Sequence, residues 1–356
     1  MIPVLIYPLC LVPYAFFSSR LRVFVALKRG SMSVKIGVVG IGVHGLHHVR
    51  ILASLGEADF IGVHDMNPEV GERAAAEFRC ASFESLERLL EMVDCVTVAV
   101  PTTAHCNVVL RCLDAGKSVL VEKPIAVTLQ EADDMIDEAD RRGVVLSVGH
   151  LERFNAAYRS VTSGGRLNPG FIESHRLSVF NPRGTDVAVV LDLMIHDIDI
   201  VLDMVRKPVS AVRAVGVPVV TDEVDIANAR LEFEGGCVAN LTASRISQRK
   251  MRKLRTFQKN SYVSMDFLDG ESEVFTLKHG ARFPLAAGTL PQVMDGISYR
   301  KHPNDGLNAL ELELLDFIGA VRDGGTPRVT GRDGRKALEV ALMIMETMEV
   351  SLRSIE

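Results

Sequence analysis

The chain carries no surplus of positive charge: 40 Lys and Arg stand against 45 Asp and Glu, for a net charge of −5. The electrostatic footprint of a nucleic-acid binder is therefore missing. Aromatic residues are scarce at 6%, with no Trp, so the one dense basic run has few rings on which bases could stack. No C-x-x-C pair occurs among Cys10, Cys80, Cys95, Cys106, Cys112 and Cys237. Cys95 and Cys106 flank an apolar segment, where thiols behave as small hydrophobes, and a reducing cytoplasm suits them. An uninterrupted membrane-spanning run is also lacking. Residues 1–17 are apolar but contain Pro3, Pro8 and Pro13, and the stretch is short for a bilayer. Its basic residues (Arg20, Arg22, Lys28, Arg29) follow the apolar run, the reverse of a secretory signal. Residues 1–31 are expected to be an extraneous or disordered extension, with Met32 as the true start; a membrane anchor is the lesser alternative.

What remains is ample for two cores, since 47% of 356 residues are apolar. Val34 to Gly40 reads as a short apolar strand running into Gly40-Ile41-Gly42-Val43-His44-Gly45, which opens a helix reaching Leu55. This is G-x-G-x-x-G in the strand-to-helix context that gives it meaning. Gly40 permits the turn, Gly42 lets the backbone approach a pyrophosphate, and the helix N-terminus offers it free N–H groups. A second strand, Phe60 to His64, ends at Asp65, twenty positions past Gly45. An acid there bonds the adenosine ribose 2′-OH and repels a 2′-phosphate, so NAD is the expected cofactor.

Strands and helices keep alternating, the pattern of a doubly wound sheet. Asp94 to Val100 is a strand ended by Pro101 and Thr102, followed by a helix from His105 to Ala115. Ser118 to Glu122 is the next strand and delivers Glu122-Lys123-Pro124 to the carboxyl edge, where ligands of open parallel sheets sit. An X-Pro bond at such a turn can be cis. A helix over 129–142 and a strand over 144–148 then present Gly149-His150-Leu151-Glu152-Arg153-Phe154-Asn155 to the same edge.

The second half opens near Leu151. Phe171 to Phe180 alternates as a strand should, and Val190 to Val205 reads as a helix buried against a sheet. On that helix Asp192, His196, Asp199 and Asp203 form one polar stripe facing a cleft. Strands are expected over 209–219, 226–233 and 237–243, then one long strand over 254–267 and another over 273–277. Helices over 307–321 and 336–352 close the chain, with Met343, Met345 and Met348 as core filler. The expected division is 32–150 for dinucleotide binding and 151–356 for substrate, the last helix packing back on the first part.

In order and spacing, GIGVHG, AVPTTAH, VEKP, GHLERFN and DLMIHDID resemble the glucose–fructose oxidoreductase and inositol dehydrogenase (Gfo/Idh/MocA) family from about Val34 onward. The resemblance implies an α/β N-terminal Rossmann domain and a C-terminal α+β domain with an open, mostly antiparallel sheet, whose face serves homo-oligomers. It places Lys123, Asp192 and His196 in the catalytic positions. The cofactor would be held by Gly40, Gly42, Val43, His44, Gly45, Asp65, Pro101, Thr102, His105, Glu122 and Lys123, and substrate by Arg153, Asn155, Asp192 and His196. The roles make chemical sense: a neutral imidazole takes a hydroxyl proton, while an ammonium stabilises the developing alkoxide.

No metal is expected. His44 and His48 have i, i+4 spacing, but no Glu follows in the zincin pattern and a phosphate-facing helix start explains them. Within the family the chain is most similar to bacterial sugar-nucleotide members, which implies oxidation of the C3 hydroxyl of UDP-N-acetylglucosamine for lipid A or surface glycans. Arg245, Arg249, Lys250, Arg252, Lys253 and Arg255 could meet a diphosphate; equally, they could be the solvated charges of an edge strand. A dehydrogenase of a free polyol and a non-catalytic NAD-binding regulator are the alternatives.

Overall fold

The computed structural model describes residues 33–181, 187–277 and 296–353. The expected dispensability of residues 1–31 lies outside this range.

The first sheet has six parallel strands in the order β3-β2-β1-β4-β5-β6. These are β1 (Val34–Val39), β2 (Ala58–His64), β3 (Ala81–Ser82), β4 (Cys95–Val98), β5 (Ser118–Glu122) and β6 (Leu146–Gly149). The buried strands β4 and β5 are almost continuous apolar runs, as parallel strands covered on both faces must be. β1 pairs with β2 on one side and β4 on the other, so the winding reverses there and opens a crevice at the carboxyl ends.

Helices α1 (Val43–Leu52), α4 (Thr102–Asp114) and α5 (Leu129–Arg142) fall where the periodicity predicts, α4 starting three residues early. A capping box of Thr128 and Glu131 starts α5, and Gly143 in the left-handed region ends it. Between Asp65 and Asp94 the chain forms two helices that the strand pattern did not announce, α2 (Pro68–Phe78) and α3 (Leu86–Met92). Local signals for both are present: Asn67 caps α2 ahead of Pro68, and Ser85 caps α3.

The second sheet has eight strands: β7 (Phe171–Leu177), β8 (Val209–Val217), β9 (Ile226–Phe233), β10 (Val238–Ser244), β11 (Met251–Gln258), β12 (Ser261–Asp266), β13 (Glu271–Leu277) and β14 (Ile297–His302). Their order is β14-β13-β12-β11-β7-β10-β9-β8, with only β7 and β10 parallel. The single strand expected over 254–267 is two strands paired antiparallel across Lys259-Asn260. Asn260 adopts φ +63°, a conformation that Asn tolerates and that turns the chain where Gly or Pro would have been the plainer signal.

Residues 190–205 form a π-helical turn (Val190–Met194) that passes into α7 (Ile195–Val205). Ile195, Ile198, Val201 and Met204 pack with Ile172, Ala229, Leu231, Ala239 and Leu241 in one core. Besides α6 (Ala156–Thr162), two helices close the fold, α8 (Ala309–Asp323) and α9 (Gly331–Arg353). α9 joins both sheets. Near its start Ser147 Oγ of β6 donates to Val329 O at 2.8 Å and Arg335 Nε meets Asp133 of α5 at 2.6 Å. Farther along, Ile344 and Met348 belong to the core of the second sheet.

Candidate active site

The glycine-rich turn is built by sterics. Gly40 has φ +84°, and a Cβ on Gly45 would stand 1.8 Å from Gly40 O, so α1 can press against the turn only with glycine at position 45. Gly42 is extended and open: a Cβ there would meet nothing within 4 Å. α1 has neither a side-chain cap nor an acid in its first turn, so its leading N–H groups and partial positive charge face outward for an anion. Val43 and His44 are exposed on that turn. Asp65 closes the cradle. Its Oδ2 accepts from Ile41 N at 2.7 Å and its Oδ1 from Asn67 N at 2.8 Å, leaving lone pairs for a ribose hydroxyl. These residues fit a dinucleotide.

Across the crevice, Pro101 precedes α4 and Thr102 begins it. His105, expected to hold cofactor, is instead enclosed. Its Nδ1 lies 2.9 Å from Pro124 O and its Nε2 3.0 Å from Val100 O. Burial pushes its pKa down. It braces the two loops at the sheet edge rather than lining the groove.

Glu122 Oε1 lies 3.0 Å from Nε2 of the buried His48, linking α1 to the end of β5. Burial alone would push the carboxyl up. The hydrogen bond from His48 and the charges of His48, His44 and Lys123 outweigh it and bring the pKa to about 2. The bond between Lys123 and Pro124 is cis.

Lys123 Nζ donates to Asp192 O at 2.8 Å and stands 3.5 Å from Asp192 Oδ1. Asp192 lies in the π-helical turn, a local widening of the helix found disproportionately at functional sites. His196, one turn on, keeps one edge open to the cleft. Its Nδ1 is buried without a partner, leaving Nε2 as the outward nitrogen. Burial, followed by the charges of Lys123, Arg176, His150 and Arg252, holds its pKa well below the usual 6.5. Lys123, Asp192 and His196 therefore lie together at this edge.

The rest of the anticipated polar stripe does not face that cleft. Arg153 Nε and Nη2 bond the two oxygens of Asp199 at 2.8 and 2.6 Å, and Nη1 is 3.5 Å from Asp203. Arg153 and Asp199 are both buried. The expected substrate contact of Arg153 is thus replaced by a buried bidentate pair, because an enclosed guanidinium must be matched by carboxylates. Asn155 is likewise committed. Its Oδ1 caps α6 through Ala157 N at 3.0 Å, while Nδ2 donates to Glu152 and to Phe267 O.

A second buried cluster escaped sequence reasoning. Arg176 bonds Asp197 through Nε and Nη2 at 3.0 and 2.9 Å, and Glu152 through Nη1 at 2.9 Å. Arg252 approaches Glu152 at 3.8 Å. The available signal was an arginine on the same pleat as Ile172 and Ser174, both buried.

The basic run is divided by the pleat, and its strand is no edge: β11 lies between β7 and β12. Arg252 shares a face with the buried Leu254 and Thr256, on the side of α7. Lys253 and Arg255 face the opposite way and pair with Asp266 at 3.2 Å and Glu173 at 3.1 Å. Arg245 is buried near Asp225. Arg249 and Lys250 are exposed on the connection leading to Arg252.

Residues 34–150 match a family model described as "Oxidoreductase family, NAD-binding Rossmann fold", and residues 154–259 match the "GFO/IDH/MocA C-terminal domain". UDP-N-acetylglucosamine 3-dehydrogenase of Acidithiobacillus ferrooxidans is 35% identical over 320 residues, covering 90% of this chain and 99% of that protein. Its solved structure superposes with a TM-score of 0.82, over 90% of this chain and 98% of that one. Scyllo-inositol 2-dehydrogenase (NAD(+)) of Bacillus subtilis is 26% identical, covering 87% of this chain and 92% of that protein. Levoglucosan dehydrogenase in complex with NADH and levoglucosan shares the fold at a TM-score of 0.76 and 19% identity. With both halves matched and a relative aligned almost end to end, this chain belongs to the GFO/IDH/MocA oxidoreductase family and binds NAD on its Rossmann fold.

Proposed function

We propose that this chain oxidises a secondary alcohol of a sugar nucleotide, the C3 hydroxyl of UDP-N-acetylglucosamine, to the 3-keto sugar. The observation that carries this is the convergence of Lys123 Nζ and the outward edge of His196 at the mouth of the dinucleotide crevice. When bound, NAD supplies the hydride acceptor. His196 is neutral near pH 7 because burial and Lys123 disfavour its charged form, so Nε2 can take the hydroxyl proton. Lys123 is held at the site by Asp192 and offers its ammonium to the oxygen on which negative charge develops. Asp192, more exposed than Lys123 (43% against 13%), is placed to bond a neighbouring hydroxyl.

The substrate class draws support from the relative that aligns over 99% of its length and from the cations near His196. Arg252 acts on His196 electrostatically, and Arg249 and Lys250 precede it, a set suited to a diphosphate. The inositol dehydrogenases among the relatives, at 26% identity, favour a free polyol as the second choice. The reading carries with it a cytoplasmic location and a product suited to a 3-aminotransferase that feeds lipid A or surface glycans.

The open face of the second sheet fits a second copy of this chain. Phe171, Phe257, Tyr262, Phe275 and Tyr299 form one row across five strands, with successive ring centroids 5.6, 5.0, 5.5 and 4.8 Å apart. Phe257 and Tyr299 are 39% and 51% exposed, and such a patch suits an interface. Light scattering of Phe257→Glu should give a smaller particle than the parent; equal masses would remove this surface as the interface.

The decisive assay incubates the protein with NAD⁺ and UDP-N-acetylglucosamine, following NADH, with a 3-aminotransferase and glutamate to draw off product. Turnover that disappears in Lys123→Ala and His196→Ala supports both substrate and roles. No turnover in a sample that binds NADH would overturn the substrate and direct the search to free polyols.

A further inference from the structure

One histidine of the site has no task in the chemistry above. His150 follows β6 directly, and Gly149 of that strand pairs in register with Glu122 of β5. His150 and Lys123 are therefore the first residues beyond the paired ends of adjacent strands, whose spacing is about 4.8 Å. A tight turn, with His150 N donating to Val148 O at 2.8 Å, directs the residue out of the sheet. The residue is 1% exposed, yet neither ring nitrogen has a protein partner.

The groups whose charges act on His150 come from every side. Asp199 of α7 acts first, then Arg153, Lys123 and Asp333 at the start of α9. His150 in turn acts on His196, together with Lys123, Arg176 of β7 and Arg252 of β11. His196 Nδ1 is also enclosed and unpartnered. Three ring nitrogens on two neighbouring histidines are thus buried in want of hydrogen bonds, a costly condition that proteins relieve with a bridging water. The two rings make no direct hydrogen bond, and one water between them would supply partners to both.

We propose that His150 is the positioning partner of His196. An enclosed water accepts a hydrogen bond from His196 Nδ1–H and donates one to a ring nitrogen of His150. This arrangement fixes the tautomer in which His196 Nε2 carries a lone pair toward the cleft. The role resembles that of an orienting group behind any imidazole base: it sets which nitrogen is protonated. The inference rests on His196 being the base.

Two variants test it. His150→Phe keeps the ring's bulk and removes both nitrogens, and His150→Gln restores a hydrogen-bonding group. In His150→Phe, kcat should fall about tenfold or more, the cost of losing an orienting partner, while KM and NADH affinity change less than about twofold. His150→Gln should recover part of the loss. Nitrogen NMR of His196 in the NADH complex should show Nδ1 protonated in the parent protein and a tautomer mixture in His150→Phe. The NMR result needs no substrate, so failure of UDP-N-acetylglucosamine to turn over would defeat the substrate assignment and leave this test intact. An unchanged tautomer and pH profile in His150→Phe would overturn the proposal, as would equal losses in both variants.

Discussion

Lys123 at the end of a Rossmann strand donates 2.8 Å to the main-chain oxygen of Asp192, which belongs to a helix packed on the other sheet. One hydrogen bond thus holds the ammonium at the seam of the two sheets, beside His196. The same contact brings the cation near His196 from a second element, the arrangement on which the proposed proton transfer depends.

Lys123→Ala should lower kcat by about 10²-fold, the usual loss when a donor to a developing oxyanion is removed. NADH affinity, read by fluorescence, should stay within about threefold, because the glycine turn and Asp65 are untouched. A variant with full turnover would remove Lys123 from the chemistry.

Lys123 should also tune its neighbour. Burial is the first cause of the low His196 pKa and the Lys123 charge the second. His196 is thus depressed in the folded state, and the protein favours the neutral ring at neutral pH. The acid limb of the kcat profile should fall below pH 6.5, and Lys123→Met should move the His196 titration upward. NMR titration in both proteins decides the matter; a downward or absent shift would contradict the electrostatic account.

The pair of His48 and Glu122 predicts a pH-dependent stability. Glu122 falls from its ordinary 4.5 to about 2 on folding, so between those values the unfolded chain binds more protons than the native state. The contribution is complete above about pH 4.5 and is lost as pH drops toward 2. His48→Ala leaves a buried carboxylate without its partner and should cost about 1–3 kcal/mol at pH 7. Denaturant melts should show a smaller cost at pH 3, and a cost independent of pH would refute the linkage.

Much of the dinucleotide half could be read in advance because its signals are local. The strand, glycine turn, helix and spaced acid occupy 34–65 without interruption, and each glycine answers to a contact inside that stretch, such as Gly45 against Gly40 O. The helix over 129–142 carried its own cap and stop. The failures concern partners far apart in sequence. Nothing near Arg153 in sequence announces Asp199, 46 positions away, and nothing near Arg176 announces Glu152 and Asp197, which reach it from two other elements. The π-helical turn before α7 was likewise invisible, since an extra residue per turn leaves the apolar pattern readable as ordinary helix.

Arg153→Ala tests the corrected role. Removing one partner from a buried bidentate pair strands Asp199 and should destabilise the protein by about 3–5 kcal/mol. Arg153→Met combined with Asp199→Leu, which leaves no charge of that pair behind, should recover much of the loss. In the double variant the KM for substrate should stay within about threefold. A tenfold rise in KM with little change in stability would return Arg153 to the substrate pocket.

The pleat of β11 offers the sharpest division among the cations. Arg249 and Lys250 are exposed beside Arg252, which faces α7, whereas Lys253 and Arg255 face the opposite side and are already paired. Charge-assisted bonds to a diphosphate are worth about 1.5–3 kcal/mol each. Arg249→Ala with Lys250→Ala should therefore raise the KM for UDP-N-acetylglucosamine about tenfold or more and flatten its dependence on salt, with kcat nearly unchanged. Lys253→Ala with Arg255→Ala should leave KM alone, because a strand cannot present neighbouring residues to one face. Equal effects from both pairs would mean that the run acts only through bulk charge, and no effect from either would place the diphosphate elsewhere.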